Sequence, residues 1–216
     1  MIPRMQRLLA VSGLIFVALV AASIFILPNA PNSHASASTA VAYFHAHKTA
    51  TSVAAHLIVL AIFVGLFFFW YFRNLIAATP ATKHLATVGF AGALLFAVSG
   101  AVAAASYYTL GDAIGHVGPS SIQTLNLFQA DFPDGVGEAG VAVFLVASSV
   151  AIIRGEGRLP NWVGWLGIVL GIASLLVIGL GVPALGLWLV VTCIVMLVRT
   201  SSPSAPTASD QELALA

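Results

Sequence analysis

The sequence predicts an all-α integral membrane protein, a single bundle of six transmembrane helices with both termini on the cytoplasmic side. Two observations predict this class. Of the 216 residues, 60% are hydrophobic and only 7% are charged, whereas a typical soluble domain is about one quarter charged. The apolar residues are also grouped in runs of about 20, the length of helix that a bilayer core requires. Lipid is therefore the expected partner, and the net charge of +1 gives no reason to expect nucleic acid.

Six apolar runs are long enough to be spans. We predict them at about 8–27, 51–72, 85–108, 134–153, 162–180 and 182–198. Because backbone polar groups in lipid must be satisfied within the segment, each span should be helical. Gly181 and Pro183 punctuate the last pair, which predicts a tight hairpin. Residues 1–199 thus form one domain, and the Ser-, Pro- and Ala-rich tail 200–216 is predicted to be disordered in the cytoplasm.

Lysine and arginine predict the orientation, since cytoplasmic loops are enriched in them. With six spans, only Lys48 falls outside. The basic residues on the other side are Arg4, Arg7, Arg73, Lys83, Arg154, Arg158 and Arg199. The first span could instead be a cleaved signal peptide, with Ala35-Ser36-Ala37 as the cleavage site. Its apolar run exceeds the usual signal core of about 7–15 residues, which favours an uncleaved anchor.

Small and aromatic residues predict how the helices pack and where they meet the interface. Small residues let helices approach closely in lipid. They recur every four positions in the third span and form a pair in the fifth: Gly89, Ala93, Ala97, Ala101, Ala105, Gly167 and Gly171. Packing within the bundle is the main interpretation, and a homo-oligomer or a membrane partner protein is the alternative. Aromatic residues at span ends act as interface anchors; these are Trp70, Tyr71, Trp162 and Trp165.

The two outer loops are predicted to differ in structure. The first, 28–40, is rich in Pro, Ser, Asn and Ala and is expected to be irregular. The second contains Pro119, which suits the first turn of a helix. Ile122, Leu125 and Phe128 then share one face at helical spacing. We therefore expect a short helix on the outer surface of the bundle.

Two polar stripes descend from the outer surface into the spans, where ionisable residues are costly and suggest function. They consist of His45, Thr49, Ser52 and His56, and of Asp131, Asp134 and Glu138. Helix capping is the alternative for the first two acids, with Asp131 as the N-cap and Pro133 in the first turn. For His56 the alternative is a neutral histidine hydrogen-bonded to a neighbouring helix. Glu138 lies deeper and needs a partner, so we predict that His56 and Glu138 face each other.

No motif in the sequence points to catalysis. It contains no nucleophile motif, phosphate loop or metalloprotease helix signature, and the single cysteine, Cys193, excludes an intrachain disulfide. His45-Ala46-His47 could bind zinc if extended, but no cofactor or metal is predicted. The favoured function is non-enzymatic: a structural, partner-binding or sensing role in the plasma membrane. The alternative is a transporter or channel for protons, ions or a small solute that uses the outer polar stripes.

Three stretches carry a resemblance to a known family. They are FFFWYFR at 67–73, PSSIQTLNLF at 119–128 and RLPNWVGWLG at 158–167. In these stretches and in the order of its spans, the chain resembles a group of uncharacterised actinobacterial multi-pass membrane proteins classed as a domain of unknown function. The resemblance implies a multi-pass fold in the bacterial plasma membrane. It implies no activity and no site residues.

Overall fold

The computed structural model describes residues 3–155 and 159–201, and within these ranges it contains helices and no strand. The helices are α1 (Pro3–Phe25), α2 (Ala37–Ala46), α3 (Lys48–Ile76), α4 (Pro80–Ala113), α5 (Pro119–Phe132), α6 (Glu138–Arg154), α7 (Asn161–Leu176) and α8 (Gly181–Ser201), with a π turn (Pro133–Gly137) between α5 and α6. The predicted all-α class is confirmed. Beyond Ser201, the predicted tail lies outside the described residues.

Five of the described segments are long and apolar enough to cross a membrane. They are Arg7–Phe25, Lys48–Ile76, Pro80–Ala113, Pro119–Arg154 and Gly181–Arg199. The predicted fifth span corresponds to α7, which is apolar but has only 16 residues. At 1.5 Å per residue it is about 24 Å long. It ends at Leu176 rather than at residue 180, because Val177 is extended and Gly179 has a φ of 85°.

The fourth predicted span is not a separate helix that starts at residue 134. Helix α5 begins at Pro119 as predicted, and it continues through the π turn into α6. Asp131 is therefore inside a helix and is not its N-cap. The junction between the two helices is the π turn Pro133–Gly137.

The first outer loop is only partly irregular. The Ser36 side chain accepts a hydrogen bond from the backbone N–H of Thr39 and caps α2, which begins at Ala37. This helix ends one residue before His47, whose φ of −113° and ψ of 25° are not helical. His45 is consequently on a different helix from Thr49, Ser52 and His56, and the first predicted stripe is broken.

The long helices pack around an aromatic core. Phe72 lies between Phe68 and Trp188, with ring centroids 5.6 Å from each, and Phe144 is also 5.6 Å from Trp188. The Trp188 Nε1–H donates to the Val163 carbonyl at 2.9 Å. This bond satisfies a buried donor, since an unpaired one would cost about 1–3 kcal/mol. The cluster joins α3, α6, α7 and α8.

Helices α4 and α6 cross with their backbones in contact at two glycines. A Cβ added to Gly92 would lie 2.5 Å from the Phe144 nitrogen and 2.7 Å from the Gly140 oxygen. One added to Gly140 would lie 2.7 Å from the Phe96 nitrogen. Only glycine fits at these two positions. The closest contact of α4 with α6 is therefore at Gly92, one residue before Ala93 of the predicted stripe.

The predicted small stripe of α4 follows this crossing for half of its length. Gly89 and Ala93 are buried, Ala97 is half-buried, and Ala101 and Ala105 are exposed. A four-residue spacing turns by about 40° at each step on a helix of 3.6 residues per turn. The stripe therefore turns away from α6 toward the C-terminal end of α4.

The other predicted small pair packs inside the bundle. A Cβ added to Gly167 would lie 2.0 Å from Ser149 Oγ and 2.5 Å from Trp188 Nε1, and one on Gly171 would lie 2.9 Å from Val146. Both glycines thus face α6, with α8 beside Gly167. The four predicted anchors are all exposed: Trp70, Tyr71, Trp162 and Trp165.

Candidate functional site

A cavity of about 310 Å³ lies between α1, α3, α4, the π turn and the start of α8. One end of the cavity is formed by Phe16, Phe69 and Phe96, which are the lining residues nearest the N-termini of α1 and α4 and the C-terminus of α3. Phe16 contacts the other two rings edge-on, with centroids 5.4 Å from Phe69 and 6.4 Å from Phe96. This aromatic floor separates the cavity from the Phe68–Trp188 core beneath it.

Five polar side chains interrupt a wall that is otherwise apolar. They are Ser23, Ser99, Tyr107, Gln129 and Glu138. Tyr107 is hydrogen-bonded to the side chain of Gln129, and Ser23 donates to the Val20 carbonyl at 2.7 Å. Ser23, Tyr107 and Gln129 therefore already have partners within the protein. A few polar groups in an apolar wall are the usual composition of a small-molecule site.

Glu138 is the first residue of α6 and joins that helix to the turn between α7 and α8. Its Oε1 accepts a hydrogen bond from the Gly179 backbone N–H. Gly179 has a φ of 85°, a conformation that favours glycine. Helix α8 begins at Gly181, where an added Cβ would lie 3.0 Å from Glu138 Cγ. A carboxylate at this position also complements the positive N-terminal end of the α8 dipole.

The structure does not bring His56 and Glu138 together. His56 is exposed, its Nδ1 bonds the Ser52 carbonyl at 2.7 Å, and its ring contacts Tyr108 edge-on at 5.1 Å. The cavity face of α3 includes Ala61 and Gly65, which are about 140° and 180° around the helix from His56. The contact prediction is therefore corrected, because similar depth in the bilayer does not put two residues on facing sides.

The other predicted polar residues lie outside the cavity lining. His45, Thr49 and Asp131 are exposed, and Ser52 is half-buried, facing α4 with its Oγ 3.7 Å from the Cβ position of Gly111. The side chain of Asp134 is outside the part of the chain that the structure describes. Within the described side chains, no group of three His, Cys, Asp or Glu residues could hold a metal ion.

The sequence analysis predicted α5 at one end of the bundle but missed the contacts that join it to α2 and to residues 28–36 in a layer, called the outer layer below. Asn126 of α5 is fully buried, and its Nδ2 donates to the Asn32 carbonyl at 2.9 Å. Gln123 Nε2 donates to the Ala35 carbonyl at 3.1 Å. Below them, an apolar cluster joins α2, α4 and α5: Ala40, Phe44, Leu110 and Ile122. The available signal was Asn126 itself, four residues after Ile122 on the apolar face of a short helix.

Comparison of the chain with protein-family models, with curated proteins and with solved structures finds no match. The cavity and the residues around it are therefore interpreted from their own geometry. The most informative features are its closed aromatic floor and the carboxylate of Glu138.

Proposed function

We propose that this protein is a non-enzymatic binding or sensing protein of the bacterial plasma membrane, whose outer cavity holds a small amphipathic molecule. The observation that carries the proposal is the cavity of about 310 Å³, a volume at the lower end of the range for ligand pockets. Its wall is apolar with a few polar groups, the composition that suits a ligand with one polar end.

The topology belongs to the same proposal. We infer six spans, with α7 as the short one and both termini inside. Five basic residues are then all on the cytoplasmic side, where such residues are enriched: Arg7, Arg73, Lys83, Arg154 and Arg199. The cavity is then on the outer side. On a Cys193→Ser background, an impermeant thiol reagent added to intact cells should label a cysteine at Ser120 and not one at Thr79. The reverse pattern would reject this orientation.

The aromatic floor supports binding over transport. A transporter or channel needs a path that continues to the inner side, at least in one of its states. Here Phe16, Phe69 and Phe96 close the cavity, and the buried Phe72 and Trp188 pack below them. A proteoliposome assay that showed coupled uptake of a proton, an ion or a solute would favour the transport alternative.

Photolabelling would test the binding proposal directly. We would irradiate the purified protein in lipid nanodiscs with a diazirine derivative of nonanol and map the labelled peptides by mass spectrometry. Label should appear on the cavity segments of α1, α3 and α4. Ala97→Leu should reduce it, because Ala97 is half-buried in the cavity wall and the larger side chain would occupy part of the space.

Ala101→Leu is the matched control, since it adds the same atoms one turn further along α4 at an exposed position. It should keep the cavity label. Equal labelling of the wild type and of Ala97→Leu, or label confined to the lipid-facing surface, would reject a ligand site in the cavity.

A further inference from the structure

We propose that the preferred occupant of the cavity is a lipophilic amine, an apolar chain or ring that carries a protonated amino group at one end. The ammonium group would bind the Glu138 carboxylate, and the apolar part would lie along the wall that α1 and α3 form. This inference rests on the proposed function and specifies the ligand class of that site.

The charge of the lining is the first argument. Glu138 is the only acidic residue in the described lining; no aspartate, lysine, arginine or histidine is among them. A carboxylate in a site of low polarity attracts a cation far more strongly than it would in water. It repels an anion by the same amount, so the site should discriminate against a fatty acid of similar length.

The hydrogen-bonding capacity of Glu138 is the second argument. An ionised carboxylate offers about four lone-pair positions to donors. In the described contacts, Oε1 accepts one hydrogen bond, from the Gly179 N–H. An ammonium group has three N–H donors and no acceptor. It therefore complements the remaining capacity of the carboxylate, whereas an alcohol supplies one neutral donor and forms the weaker bond.

The shape of the cavity is the third argument. Glu138 begins α6 next to Gly137, where an added Cβ would lie 2.9 Å from Ser99 Oγ. The start of α6 is thus close to Ser99, three residues after Phe96 of the floor, and the Glu138 carboxylate is held there by the Gly179 N–H. A ligand bound to Glu138 has apolar wall on either side of its polar end, from α1 and α3. A compact amine with an attached chain fits this arrangement better than a molecule with several polar groups.

The test uses displacement of the nonanol photolabel by two competitors, nonylamine and nonanol. In the wild type, nonylamine should displace the label at a concentration about tenfold to a hundredfold lower than nonanol, the range that a hydrogen bond to a charged group provides. In Glu138→Gln the two competitors should displace the label at nearly equal concentrations. Because their ratio is compared between variants in the same lipid, their different partitioning into the bilayer cancels.

Asp112→Asn is the matched control, because it neutralises an exposed carboxylate of α4 that is outside the lining. It should retain the wild-type ratio. Equal displacement by both competitors in the wild type would overturn the amine proposal while leaving the cavity as a binding site. Absence of the cavity label would instead reject the proposed function itself.

A second comparison covers the case in which Glu138→Gln does not purify as a folded protein. In the wild type, nonylamine should displace the label well below the concentration that nonanoate requires, since the carboxylate of nonanoate would face that of Glu138. Similar displacement by nonanoate, or a preference for it, would overturn the proposal without any variant.

Discussion

Two halves of the bundle both contain aromatic side chains and are packed in different ways. The inner half, named after the predicted orientation, contains Phe72 and Trp188, and the outer half contains the cavity. In the inner half, Phe72 and Trp188 are in ring contact and fully buried, and Trp188 is hydrogen-bonded to the backbone. At the boundary of that half, Phe16 and Phe69 also contact each other, but beyond them the helices leave a cavity. The difference shows that aromatic content alone does not close a bundle; the helices must also approach closely.

Helix α4 passes through both halves, and its contacts with α6 at Gly92 are tighter than its contacts with α3 at Gly100. At Gly92 its backbone touches that of α6, whereas at Gly100 an added Cβ would have its nearest neighbour, Ile62 Cδ1, at 3.4 Å. Ala97, between them, lines the cavity. The same kind of small residue therefore permits a tight crossing in one half and leaves space in the other.

The largest expected effect comes from breaking the crossing. Gly92→Ala places a methyl group against backbone atoms of α6, which cannot yield unless the helices separate. We expect a loss of about 3 kcal/mol, at the upper end of the range for overpacking. Thermal unfolding in detergent would measure it. Gly100→Ala is the control and should keep or raise the stability, because alanine is the better helix former. Equal melting temperatures for the two variants would contradict the crossing.

A smaller and more local effect is expected in the outer layer. Asn126→Ala removes the donor to the Asn32 carbonyl and should cost about 1 kcal/mol, the usual net value of a hydrogen bond. Hydrogen exchange should become faster in residues 28–36 and in α5, with α7 and α8 unchanged. Thr124→Ala, at an exposed position of the same helix, should leave these rates as they are. Uniformly faster exchange would mean that the outer layer is not a separate unit.

The smallest effect is expected at His56. Its ring bonds a carbonyl of its own helix and is exposed, so His56→Ala should change the stability by less than about 0.5 kcal/mol. It should also leave the cavity photolabel in place, which sharpens the contrast with Glu138. Loss of that label would restore the predicted link between the two residues.

Composition and hydropathy were sufficient to predict the helical class and the approximate positions of the five segments that are long and apolar enough to cross a membrane, because lipid requires both length and apolarity of such a segment. They were insufficient for the helix ends. Thr79 and Thr82 form a capping box that begins α4 at Pro80, five residues before the predicted span, and α4 extends to Ala113. Such ends depend on local caps and on packing outside the apolar run.

The candidate site was predicted in part. Glu138 was singled out because an acid two turns inside a span needs a partner, and it does line the cavity. Its partner, the Gly179 N–H, could not be predicted, because a backbone group in a turn has no signature in the sequence. His56 was misassigned since residue counting gives depth along the bilayer normal and no information on which side of α3 faces α6.

The outer layer has a consequence for biogenesis. Its two hydrogen bonds join residues 94 and 88 positions apart, and α3 and α4 are made in the interval between their partners. Contacts so distant in sequence form only after the intervening chain is in place, and synthesis proceeds from the N-terminus. The loop after α1 therefore waits for α5 to emerge from the ribosome, and the outer layer can form only after α3 and α4 have been made.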